Sequence, residues 1–391
     1  MKLLVLGEYI RRFPWSPSQW SVQIARALAG RGHHVTLACD AIEDPSPLLA
    51  PIDHPRASIS LLSRRPDRTL RATHPFAFLR WALSLVRDDT FDSSFSLTPL
   101  APAHVWLPIE PDASELISST LRTHPPISAA LELAYRPWLP GAIISERRAG
   151  RAMKEIAGVH ARIGASPSRA GAQQGLGWAS AWHVPGDQEH AVLRAQTRRA
   201  LSIPTHRRVV LVSATQNRRP GLELILDALA ANPGDRPILL VMGRRAHEVA
   251  TLAHPRGLSD FTRFAGGTER ADALLAAADI VAIPWSSAEP RATGRLLADA
   301  LRRRRFVVAS RPACGSELAS DPAMGMSIEP TPSAWRDALA QVWNHAPALT
   351  RRDSPLLAEL SIDAMAGRLE SLIPCRGLRR SLSTPGPIAQ P

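Results

Sequence analysis

Two arginines, Arg218 and Arg219, stand in a turn-like segment (TQNRRPG, residues 215–221) directly ahead of a helix-patterned run. Guanidinium forks match phosphate oxygens, and the unpaired N–H groups of a helix start carry partial positive charge, so this segment reads as a diphosphate site. The competing reading is a solvated basic turn. A second segment, residues 286–299 (SSAEPRATGRLLAD), holds Glu289 in a loop, Thr293 and Gly294 where a helix opens, and Asp299 inside that helix. Carboxylates placed there would accept hydrogen bonds from ribose hydroxyls while the helix start meets phosphate; an Asp on a helix is otherwise a surface residue. A third segment, residues 7–18 (GEYIRRFPWSPS), carries Ser16 and, as a helix cap, Ser18. Amides at that helix start suit a phosphate or a sugar hydroxyl. The segment lacks the GxGxxG fingerprint, which argues against an oxidoreductase. His104, in TPLAPAHVW, offers an imidazole as general base or acceptor-orienting group, or else is a core histidine. The sequence has no convincing Ser/His/Asp set, Walker loop or metal-ligand spacing, so neither a metal nor a cofactor is expected.

Loops of this kind act together only if a scaffold brings them to one edge. In the second half, residues 208–213 (RVVLVS), 238–243 (ILLVMG), 261–264, 280–284 and 306–310 read as strands. They alternate with helical runs at 221–231, 245–252, 269–277 and 293–303, the first with Leu222, Ile225, Leu226 and Leu229 on one face. Such alternation specifies an α/β fold with a parallel, doubly wound sheet, whose ligands bind outside the carboxyl ends of the strands. The first half opens the same way, with a strand at 2–6, a helix at 20–31 and a strand at 35–39. A helix at 76–86, strands at 91–97 and 105–107, a helical region from 128 to 157 and a last strand at 159–165 follow; residues 41–75 resist assignment. Two tandem Rossmann-like domains are therefore expected, residues 1–187 and 188–361, with a helix at 362–373 and a disordered tail from 374 to 391. In such a pair the carboxyl ends can face one another across a cleft.

Composition bounds the partners. The chain has 391 residues, 45% of them hydrophobic, and a formal charge of +12, yet only two of its 47 basic residues are Lys. An arginine bias of that kind does not by itself mark a nucleic-acid surface, although the positive field favours anionic partners. Three scattered cysteines exclude a disulfide framework and fit a reducing compartment. The opening apolar run is too short for a signal peptide, and no stretch is long enough to span a bilayer. A cytoplasmic protein is expected, or one peripheral at the inner face of the cell membrane. The Arg302–Arg305 run reads as a solvated helix end or, less simply, as a patch for anionic lipid.

Read in order, several segments carry a family likeness. They are IARALAGRGHHVTLACD (24–40), VPGD (184–187), the strand and basic loop at 209–221, LLVMG (239–243), FAGGTERADALLAAADIVAIP (264–284) and VVASRPACGSE (307–317) with Gly325. Together they resemble the GT-B glycosyltransferases of family 4, retaining enzymes that use nucleotide sugars, and within them the group that glucosylates lipopolysaccharide core. The resemblance spans residues 1–373. It implies an N-terminal acceptor domain, a C-terminal domain for a UDP- or GDP-sugar, a glycan or lipid-linked acceptor, no metal and no nucleic acid. It places Gly266 and Gly267 near the nucleotide base, Gly243 in the donor site, Arg218 and Arg219 on the diphosphate and Glu289 or Asp299 on the ribose; His104 is an acceptor-side candidate. The helix at 362–373 would return to the first domain.

The sequence departs from that family where chemistry is expected. The E-x7-E pair becomes Arg291 and Asp299, with Glu289 two positions early. The Arg-Lys of the phosphate loop becomes Arg219-Pro220, and the double glycine of the first loop becomes Ser16-Pro17. A glycine that ends a later helix falls within Arg302–Arg305. A catalytically lapsed domain that binds a nucleotide sugar or a partner is therefore the competing function. A nucleotide-sugar epimerase on the same architecture lacks a recognisable second acid or base.

Overall fold

The structure, a computed structural model, describes residues 1–7, 9–10, 18–42, 58–64, 74–88, 90–107, 117, 139–156, 159–162, 174–175, 186–214, 219–231, 236–243, 246–266, 271–284, 292–311, 316–349 and 356–373. These form two units, one from residues 1–175 with 365–373, the other from 186–364.

The first unit begins with β1 (Lys2–Leu6), four buried aliphatics behind an exposed lysine. A short β2 (Tyr9–Ile10) and helix α1 (Ser18–Gly30) follow, then β3 (His34–Cys39), the short β4 (Ala41–Ile42) and β5 (Ser58–Ser63). Helix α2 (His74–Val86) leads to β6 (Ser93–Ser96) and β7 (Val105–Trp106); helix α3 (Leu139–Glu155) leads to β8 (Val159–Arg162) and β9 (Gln174–Gly175). The main sheet is parallel in the order β5-β3-β1-β6-β7-β8-β9, while β2 and β4 pair separately. Its centre is apolar because both faces are covered. Trp20, Ile24 and Leu28 of α1 are buried, and Phe78 and Ala82 of α2 share a core with Leu4, Leu6, Leu139 and Ala142. Cys39 lies in this interior, where burial, with Asp40 beside it, pushes its thiol up to about 12.

Four of these strands, β2, β4, β5 and β9, were not expected. β5 falls in the unassigned stretch and is exposed along most of its length at the sheet edge. Polar side chains tie it to its neighbour: His34 Nδ1 with Ser58 Oγ at 2.7 Å, and Thr36 Oγ1 with Ser60 Oγ at 2.8 Å. β8 is not the last strand of the unit, since β9 pairs beside it.

The second unit starts with helix α4 (Asp187–Ala200), also unanticipated, whose buried residue is Arg198. Then come β10 (Val209–Ser213), α5 (Arg219–Ala230), β11 (Ile238–Met242), α6 (Ala246–Ala253), β12 (Thr262–Phe264) and α7 (Ala271–Ala277). β13 (Ile280–Ile283), α8 (Ala292–Arg302), β14 (Phe306–Ser310), β15 (Gly325–Ile328), α9 (Pro332–Leu349), α10 (Leu356–Glu359) and α11 (Ile362–Ser371) complete the chain's elements. The parallel sheet runs β12-β11-β10-β13-β14-β15. Strands β10, β11, β13 and β14 are almost wholly buried aliphatic runs, as a sheet covered on both faces requires. α11 starts in the range of the second unit and lies mostly in the first. Among the described residues no helix is long and apolar enough to cross a membrane.

Candidate functional site

The strand order of the second unit fixes where a ligand belongs. From β10 the chain winds outward through β11 and β12, then returns to the other side of β10 with β13. The helices that follow β10 and β13 therefore lead to opposite sides of the sheet, and in doubly wound sheets ligands bind at the carboxyl edge of such a switch point. Two helices begin beyond it: α5 at Arg219, after β10, and α8 at Ala292, after β13. Neither has an acidic residue in its first turn, so their positive ends are uncompensated by nearby carboxylates of their own. Arg219 is the first residue of α5, and Thr293 and Gly294 are in the first turn of α8. Ser18 opens α1 in the other unit, in the connection after β1. Arg218, Glu289, Gly267 and Ser16 lie outside the described residues.

Beside this switch point the loops after β11 and β12 are clipped together. Gly243 and Gly266 have φ of 132° and 76°, backbone that favours glycine, and the Gly243 N–H donates to the Gly266 carbonyl at 2.8 Å. A Cβ on Gly266 would meet no atom within 4 Å, so the backbone there is open to close approach. The Ala214 N–H, at the end of β10, donates to the Met242 carbonyl at 2.6 Å, which joins this glycine pair to the β10 edge. Two glycines 23 residues apart thus meet at the carboxyl edge of β11 and β12.

Asp299 sits differently from the expectation. It is the eighth residue of α8, roughly 10 Å down the axis from the helix start at 1.5 Å per residue, and it is fully buried. Burial lowers the pKa of the neighbouring Arg302 guanidinium, and the Asp299 charge opposes that shift. Asp299 is an interior carboxylate rather than one presented beside the opening of α8.

His104 also departs from its expected role. It immediately precedes β7, and the pairing of Phe95 with Val105 sets it level with Ser94, toward the amino end of β6. Its Nδ1 accepts from the Ser94 N–H at 3.1 Å and meets Ser94 Oγ at 2.7 Å, and the ring is buried. The imidazole supports the sheet interior, away from the carboxyl ends where ligands bind.

The Arg302–Arg305 run is corrected most fully. Only Arg304 is exposed; Arg303 is buried and Arg302 and Arg305 are half-buried. Arg303 Nη2 pairs with Asp272 at 2.6 Å. Arg305 donates to the Ala278 carbonyl at 3.1 Å and to His190 Nε2 at 3.0 Å. Burial and the surrounding arginines lower the Arg305 pKa to about 10 and the His190 pKa to about 4. His190 is consequently neutral at physiological pH and accepts from Arg305. The run fails as a solvated helix end because its side chains turn back onto the amino edge of the sheet.

Asp279, the acid of the AAAD motif, is the hub there. It accepts from Arg194, from Arg198 Nη2 at 2.8 Å and from the Val209 N–H at 2.8 Å. Arg194 Nη1 also reaches the carbonyls of Ala276, Ala277 and Ala278 at 2.9–3.1 Å, and Arg198 Nε that of Ala277 at 3.0 Å. These are the orphan acceptors at the end of α7, where cations also match the helix dipole. The AAAD segment signalled a strand entry but not this network, whose arginine partners lie in α4.

Among the described residues no three His, Cys, Asp or Glu side chains are grouped as metal ligands would be. Residues 206–345 match the model of a family described as Glycosyl transferases group 1. No curated protein sequence matches the chain. Among solved structures, WaaG, a glycosyltransferase involved in lipopolysaccharide biosynthesis, aligns with a TM-score of 0.64 at 15% identity over 95% of this chain and 99% of its own. Sucrose-phosphate synthase from Thermosynechococcus elongatus aligns with a TM-score of 0.61 at 16% identity, covering 97% and 100%. HepE from Anabaena, solved with UDP and glucose, gives 0.55 at 17% identity, covering 98% and 99%. At such identities the likeness establishes the fold, the two-sheet α/β architecture of GT-B proteins.

Proposed function

We propose a retaining glycosyltransferase, a reading supported by the match of residues 206–345 to the glycosyl transferases group 1 model and by the GT-B fold of the chain. It moves a sugar from a UDP- or GDP-sugar to a glycan or lipid-linked acceptor. The observation that carries this reading is the switch point beside β10, where the openings of α5 and α8 and the Gly243–Gly266 clip share one edge. HepE, of like fold, was solved with UDP-glucose.

In this reading the nucleotide base lies against the open backbone at Gly266, and Gly267, next in sequence, belongs to the same loop. Arg218, Arg219 and the first amides of α5 and α8 hold the diphosphate. As the bond from the anomeric carbon to the diphosphate oxygen breaks, negative charge grows on that oxygen, and fixed donors already aimed at it lower the barrier. The acceptor hydroxyl forms the new bond on the same face of the sugar, and its proton leaves with the diphosphate. No metal or cofactor enters this scheme. The ribose is left to Glu289, since Asp299 is enclosed.

Peripheral membrane contact finds its support in the first unit rather than in Arg302–Arg305. Arg80 of α2, Arg87 just after it, and Arg147, Arg148 and Arg151 of α3 are exposed, as is Ile144. Arg148 lies 5.4 Å from the Phe76 ring centroid and ties the two basic stripes together. Such a face suits acidic head groups.

A lapsed, nucleotide-sugar-binding module is the second reading, favoured by the enclosure of Asp299 and by Arg291 in place of an acid. Thermal-shift titration with UDP, GDP and their sugar conjugates tests the donor site; no stabilisation by any of them defeats both readings. A mass-spectrometric donor screen then separates them. Transfer or donor hydrolysis supports the enzyme, and binding without turnover across a broad acceptor panel supports the module.

A further inference from the structure

We propose that Arg31-Gly32-His33 forms a socket that locks the terminal helix α11 onto the first unit, with Glu370 as the group it grips. α1 ends at Gly30, and the chain then turns through Gly32 at φ 87°. The Gly32 N–H donates to the Ala29 carbonyl at 2.8 Å and the His33 N–H to that of Leu28 at 3.4 Å, the paired bonds of a left-handed helix stop. This turn directs the side chains on either side of the glycine to one carboxylate. Arg31 Nε and Nη2 both reach Glu370 Oε2 at 2.6 Å, while His33 Nε2 meets the other oxygen, Oε1.

The guanidinium also lies against α11 at Gly367, one turn before Glu370, where a Cβ would stand in ordinary contact at 3.4 Å from Arg31 Nη2 and 3.6 Å from its Cζ. Met365, Ala366 and Leu369 of the same helix are buried. Partial burial raises the Glu370 carboxyl, but hydrogen bonds from His33 and Arg31 and the Arg31 charge outweigh it and hold the carboxyl below its usual range. His33 Nδ1 is buried without a hydrogen bond, so the contact of the ring with Glu370 is made through Nε2 alone.

Each position of the arginine-glycine-histidine turn thereby has a task in fastening the segment by which the chain returns from the second unit. The consequence for turnover rests on the glycosyltransferase reading; the socket itself does not. Hydrogen exchange on the full chain tests it directly, using peptides from residues 362–373. Arg31→Ala and Glu370→Gln should each accelerate exchange in α11 by about ten-fold or more, the scale of a charge-assisted hydrogen bond lost from a locally opening element, while β1 and β3 stay protected. Arg31→Ala combined with Glu370→Gln should lose less than the sum of the two single changes, because the Arg31–Glu370 contact is removed only once. Unchanged exchange in the single variants, or additive losses in the double, overturns the proposal. Altered exchange in a chain that shows no donor turnover would leave the socket standing and count against the enzymatic reading.

Discussion

The two edges of the second sheet use the same residue type for opposite purposes. At the amino edge, Arg194, Arg198 and Arg305 are consumed by carbonyl oxygens at the end of α7 and by Asp279 and His190. A cation at a helix C-terminus is electrostatically at home, so these arginines need no ligand. At the carboxyl edge, Arg219 opens α5, where the dipole repels a cation and the first turn supplies no acid. An anion at that place would satisfy the arginine and the helix together. Position, not abundance, separates the arginines bound within the fold from the one proposed to meet phosphate.

That contrast can be broken at either edge. The largest effect is expected from Asp279→Ala, which leaves Arg198, only 4% exposed, without its carboxylate. Removing one partner of a buried pair should cost about 3 kcal/mol or more, read by urea unfolding. Arg218→Ala with Arg219→Ala should leave folding intact and weaken UDP or GDP by about 10- to 100-fold, the scale of charged hydrogen bonds, with little change for the nucleoside. Equal weakening of nucleotide and nucleoside by calorimetry would show that these arginines do not hold diphosphate. His190 gives a pH test of the amino edge. Its folded pKa, about 4, lies below the unfolded value of roughly 6.5, so the unfolded chain binds more protons between them. Stability should rise with pH through that window and be lost on acidification toward 4, and His190→Gln should flatten this part of the Tm profile. The smallest effect is a gain. Arg304 has φ 53° in the left-handed turn that ends α8, with the Arg305 N–H on the Ala300 carbonyl at 2.9 Å. Arg304→Gly should relieve about 1 kcal/mol of backbone strain and raise the Tm slightly.

The parallel core was legible because Val209–Ser213, Ile238–Met242 and Phe306–Ser310 are apolar runs between turn signals. What escaped lacked that signature. α4 buries Arg198 rather than an aliphatic face, so hydrophobic periodicity cannot find it. β5 is half serine, exposed, and held by side-chain pairs to β3 that only register reveals. At the site, residue types and order pointed to α5, α8 and the glycine pair, since these sit where strands of a doubly wound sheet end. Burial was not legible: Asp299 and His104 look alike in sequence whether they face a ligand or a core. The Arg302–Arg305 run misled for the same reason, as its partners Asp272, Ala278 and His190 are remote along the chain.

Cys39 gives the first unit a built-in clock. Its thiol is sealed beneath the sheet and reluctant to ionise, so an alkylating reagent can mark it only as fast as its surroundings open. Mapping which cysteine is labelled during mild denaturation would therefore time the loosening of this half of the chain from within, without any introduced probe.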